Sequence, residues 1–134
     1  MHKTETMKPY LIILYIILCI AVTALTDALN FLDFGTWAHT ANAAGILLLI
    51  SGPFIFKLER RHWVAYIVAF AFWRVVGFDY LFNLFAGLPW DYIGVVSFWD
   101  KVLSKVPPHG LIFIRAVFMI AAVAIPLQYM KSDK

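Results

Sequence analysis

The chain alternates long apolar stretches with short polar breaks. Residues 9–28, 37–56, 63–85 and 109–130 are each apolar enough to cross a bilayer as a helix. A hydrocarbon core about 30 Å thick requires about 20 residues, at about 1.5 Å of rise each. Phe34-Gly35-Thr36 separates the first two runs, and the charged segment KLERRH at 57–62 separates the second and third. Gly87-Leu88-Pro89 ends the third, because proline cannot extend a helix and glycine readily closes one.

The break before the last run has a pattern of its own. Over residues 97–106, Phe98, Val102 and Val106 recur every four positions, while Asp100, Lys101, Ser104 and Lys105 fill the other side. With Ser97 as N-cap and Pro107-Pro108 as stop, this predicts a short amphipathic helix lying in the membrane interface. The pattern as a whole predicts an all-α fold, an integral membrane four-helix bundle with a short interfacial amphipathic helix between helices 3 and 4. Residues 1–134 form a single transmembrane domain. A basic start, an apolar core and small residues before Asp27 also fit a cleaved signal, but the length of the run favours a retained first helix.

Composition agrees with this assignment. Hydrophobic residues make up 63% of the 134 and charged residues 14%, against about 45–50% and about 25% in soluble domains. The net charge of +3 is not a nucleic-acid signal, since the basic residues cluster at the ends of apolar runs and form no stripe. Cys19, the single cysteine, can make no intrachain disulfide and excludes thiol–disulfide chemistry that needs a cysteine pair. No metalloprotease, nucleophile-elbow, phosphate-loop or dinucleotide motif occurs.

Charge placement sets an orientation. Lys3, Lys8, Lys57, Arg60, Arg61, Lys131 and Lys134 fall on one side of a four-span protein, and only Lys101 and Lys105 on the other. The positive-inside rule then puts both termini in the cytoplasm of a cell-membrane protein.

The polar residues inside the runs are the candidate chemistry. A charge at bilayer depth costs about 2.5–3.5 kcal/mol on insertion scales, so Arg74, Asp79 and Arg115 should face protein or water. Rise per residue puts Asp79 about 24 Å along the third run and Arg115 about 9 Å along the antiparallel fourth, at similar depth. They are expected to pair. Arg74, about 17 Å in, is expected to reach Asp27 on the first helix, where Thr23, Thr26, Asp27, Asn30 and Asp33 share one stripe if the helix continues. Asp27, Asn30, His39, Asn42, Arg74, Asp79, Asn83 and Arg115 all lie in the outer half and are candidates to line one polar pocket. The inner half is expected to hold only apolar and small residues. Ala41 and Gly45 form a small-xxx-small pair suited to close helix packing, and Gly52-Pro53 should bend the second helix.

These features favour a small membrane protein whose outer-half pocket binds a membrane lipid, a lipid-like molecule or another small ligand, or that serves as a subunit of a membrane complex. A membrane-protein partner or a homo-oligomer is the corresponding expectation for a chain that is 17% aromatic. One alternative is a membrane-embedded enzyme acting on a lipid or isoprenoid, with Asp27 or Asp79 and His39 as base and acid. Another is a small proton-coupled transporter, disfavoured because each acid has an arginine near it. No metal and no cofactor are expected. His39 and His109 sit near helix ends rather than facing across a core, and Asp27 adds no zinc-like spacing.

Overall fold

A computed structural model describes residues 9–93 and 98–131. The four long helices are α1 (Pro9–Phe31), α2 (Gly35–Ile55), α3 (Arg60–Ala86) and α5 (Pro108–Lys131), with a short α4 (Phe98–Leu103) before the last. All four are long and apolar enough to cross a membrane, and among the described residues there is no strand. The expected all-α four-helix bundle, with its short helix between the third and fourth spans, is the fold observed. The first and third helices exceed their apolar runs, because polar residues at a membrane surface continue a helix without penalty. The expected N-cap, Ser97, lies outside the described residues.

Three helices end in the same way. After α1 the Phe34 N–H donates to Leu29 O at 2.8 Å and the Asp33 N–H to Asn30 O at 3.1 Å, with Asp33 left-handed at φ 66°. After α2 the Leu58 N–H donates to Pro53 O at 2.8 Å and the Lys57 N–H to Phe54 O at 3.1 Å, with Lys57 at φ 50°. After α3, Gly87 takes the left-handed position at φ 69° and the Leu88 N–H donates to Asn83 O at 2.9 Å. Each closure satisfies carbonyls the helix end would leave bare. Asp33 thereby leaves the polar stripe of α1, which ends at Asn30.

The bundle is built around α1, which packs against α2 and α3 and more lightly against α5. Ile12, Ile16, Ile20, Ala24 and Ala28, four residues apart, are buried along its length. On α2 the buried stripe is Ala38, Gly45 and Gly52, every seventh residue. A Cβ on Gly45 would stand 3.3 Å from the Val22 methyl, so glycine sets how closely α1 and α2 approach. Lipid offers no hydrophobic drive between helices, and close backbone packing replaces it. The other wall of the core is Tyr66 and Ala69 of α3. Beyond it, α5 docks on α3 with Phe72 and Phe118 stacked at 5.1 Å.

Large apolar side chains point outward on every long helix, among them Leu47, Val64, Leu84 and Phe113 at 68–71% exposure. A soluble monomer rarely carries so much apolar surface. The molecule is a multi-pass membrane protein.

The end of the bundle that carries Lys57, Arg60 and Arg61, here the basic end, departs from its expected apolar character. Tyr15 donates to Leu48 O at 2.5 Å and lies 2.9 Å from the Ser51 hydroxyl, while Tyr66 donates to Leu49 O at 3.0 Å. The cause is Pro53. It has no N–H to give Leu49 four residues back, and the Tyr66 hydroxyl takes that place. Gly52 makes this possible, since a Cβ there would collide with Tyr66 and stand 2.9 Å from the Tyr15 ring.

Candidate functional site

A cleft of about 240 Å³ lies where α1, α2 and α3 meet. Its walls follow helix periodicity: Thr23 and Thr26 on α1, Asn42, Gly45, Ile46 and Leu49 on α2, and Phe70 and Arg74 on α3. The antiparallel run of α2 against α1 and α3 orders these residues along the bundle. Leu49 and Phe70 lie nearest the basic end, and Asn42, Thr26 and Arg74 nearest the far end. The cleft is therefore apolar at its floor and polar at its mouth. The floor is closed by contacts between α2 and α3, the Tyr66–Leu49 hydrogen bond and the edge-on rings of Phe54 and Trp63 at 5.4 Å.

Arg74 is the only charged residue in the wall. Its guanidinium lies over the Phe78 ring, 4.2 Å from the centroid. Among the described residues no carboxylate comes within 4.0 Å of it. The expected Arg74–Asp27 bridge is thus not formed. Arg74 folds onto the aromatic ring one turn along its own helix, and Asp27 is exposed, within longer-range electrostatic reach only.

The two threonines have committed their protons. Thr23 donates to Cys19 O at 2.9 Å and Thr26 to Val22 O at 3.0 Å, each to the carbonyl four residues back. With those bonds kept, each hydroxyl has only its oxygen lone pairs left to offer a ligand.

The second charged site lies between α3 and α5. Arg115 donates through Nη2 to Asp79 Oδ2 at 2.9 Å and through Nη1 to the Tyr80 hydroxyl at 2.7 Å. It also sits 4.6 Å from the Tyr80 ring centroid. The side chains are 14% and 21% exposed for Arg115 and Asp79, so the pair is largely sheltered. The pairing expected from helix depth is observed.

Asn83 has a different surrounding from the one expected. It is buried at 1% exposure, and its Nδ2 donates to Trp90 O at 3.1 Å and Tyr92 O at 2.8 Å. It ties the loop after α3 back onto the helix end. Asn30, His39 and Asp27 are exposed on α1 and α2. Of the eight candidates, Asn42 and Arg74 share the cleft, Asp79 and Arg115 share the ion pair, and the other four join neither.

Gly45, Ile46, Leu49 and Phe70 were not singled out as site residues. As sequence they look like any lipid-facing or packing residue, and only the meeting of three helices makes them a wall. Among the described residues no three His, Cys, Asp or Glu side chains gather closely enough to hold a metal ion. Nothing matches the chain in comparison with family models, curated proteins or solved structures.

Proposed function

We propose that the protein binds a lipid-like amphiphile in the cleft between α1, α2 and α3, in the outer half of a cell membrane with both termini in the cytoplasm. One observation carries the reading: a guanidinium with no carboxylate partner stands at the mouth of a cleft whose floor is apolar. Asp27 and Asp79 reach this charge only at longer range, and a phosphate or carboxylate from the bilayer would contact it directly in bidentate fashion. The apolar floor suits the first methylenes of a tail. Enclosed sites for drug-sized ligands run to about 300–1,000 Å³; this cleft, at about 240 Å³, takes a headgroup and the start of one chain. The rest of the chain lies along the lipid-exposed face of α2.

The Asp79–Arg115 pair belongs to a different role. The two charges meet directly, although Arg115 Nε is left buried without a partner, and such a pair fixes the register of α5 on α3.

Native mass spectrometry of the gently extracted protein tests the proposal. Wild-type protein should retain a bound amphiphile, and Arg74→Gln should lose it while keeping its fold. Retention of the same molecule by both proteins would rule the cleft out.

A further inference from the structure

We infer that the headgroup recognised in this cleft combines an anion with a hydrogen-bond donor, as a phosphate bearing a primary ammonium or a hydroxyl does. This rests on the cleft being the binding site and adds the class of molecule it selects. Arg74 offers N–H donors and a positive charge, which call for an anion. Thr23 and Thr26 offer the opposite while their hydroxyls stay bonded to the backbone carbonyls four residues back, at O···O distances of 2.9 Å and 3.0 Å. Turning either hydroxyl toward an anion breaks its backbone bond, whereas an N–H or O–H of the ligand binds it with that bond intact. Asn42, across the mouth, has an amide that can serve either partner.

The two demands are spatially separate. Arg74 comes from α3 and the threonines from α1, so a ligand meets the cation on one wall and the acceptors on another. A fatty acid carboxylate, with no proton to give, satisfies only the first wall. A phosphocholine satisfies the anion but brings a methylated ammonium with no proton to give. Binding it strips water from the threonine oxygens and returns nothing, which is how a polar site rejects an analogue lacking its donor.

Three single-chain amphiphiles of equal chain length separate the possibilities: an alkyl phosphoethanolamine, an alkyl phosphocholine and the plain alkanol. The first two carry the same net charge and differ in the donor. Each is titrated against the full chain in maltoside micelles and read by native mass spectrometry. The phosphoethanolamine should bind about tenfold more tightly than the phosphocholine, the usual worth of one unsatisfied buried acceptor. The alkanol should bind most weakly. Arg74→Gln should lower the affinity of both phosphate amphiphiles. The double variant Thr23→Val, Thr26→Val should bind the two phosphates equally, whereas Thr23→Ser, Thr26→Ser should keep the preference.

Equal binding of the two phosphates by wild-type protein, with both weakened by Arg74→Gln, overturns this inference and leaves the cleft as the site. Binding of either phosphate unaffected by Arg74→Gln overturns the cleft itself. A preference that survives in the valine variant removes the threonines from the account. The comparison of headgroups in the wild-type chain decides the matter alone if the valine variant does not fold.

Discussion

Arg115 is fixed by three partners at once: the Asp79 carboxylate, the Tyr80 hydroxyl and the Tyr80 ring face. Removing it leaves Asp79 as an unpaired anion between helices. Arg115→Ala should therefore lower stability by about 3 kcal/mol, seen as an earlier midpoint in detergent-driven unfolding. Adding Asp79→Ala should recover more than half of that loss, because the pair couples through direct contact; additive losses would show that the bridge is not the source. This pair was legible in the sequence, since helix rise is fixed and two antiparallel spans bring residues of equal depth together. Arg74 was not legible in the same way. Its long side chain has many reachable partners, and Phe78, one turn along on its own helix, wins over Asp27 on the neighbouring one. Asn83 was misplaced for a related reason: a polar residue near a helix end serves the loop that follows as readily as a pocket, and the loop's path is not written in its spacing.

At the scale of the helix, α2 depends on a side chain from elsewhere. Pro53 deprives Leu49 of its helical donor and Tyr66 of α3 supplies one at 3.0 Å. Tyr66→Phe should cost about 1–2 kcal/mol, because a sheltered carbonyl is left bare. The same change made with Pro53→Ala should cost less, since an alanine in place of the proline returns an N–H to Leu49; an equal cost in both backgrounds would show that the Tyr66 hydroxyl does not act through the Leu49 carbonyl. The proline announced an orphan carbonyl in the sequence, but nothing announced that a tyrosine 13 positions later would answer it. Helix boundaries were legible to within a few residues from apolar runs and breakers. The left-handed closures at Asp33 and Lys57 were not, because neither residue advertises that conformation as glycine does at 87.

For the whole molecule, the fold followed from four apolar runs and the tight breaks between them. The central position of α1 did not. Every long helix touches it, yet its mean hydropathy of 2.4 barely differs from the 2.3 of the peripheral α5, so hydropathy alone gives no hint of rank within the bundle. The proposed orientation rests on a sequence count, seven basic residues flanking one side of a four-span topology against two flanking the other. Reporter domains fused to the two termini should both read as cytoplasmic; a signal from opposite sides would require an odd number of crossings and a different fold.

The lengths of α2 and α3 differ, 21 residues against 27, or about 31 Å against about 40 Å. In a hydrocarbon layer about 30 Å thick, the shorter helix just spans; the longer puts Arg60, Arg61 and His62 at the surface and leaves an apolar run of about 35 Å to be taken up by leaning. The two are joined near the basic end by the Tyr66–Leu49 hydrogen bond and the Phe54–Trp63 ring pair, and the cleft lies between them. Its width is then tied to hydrophobic mismatch: a thicker bilayer draws α3 upright and narrows the gap, and a thinner one spreads it.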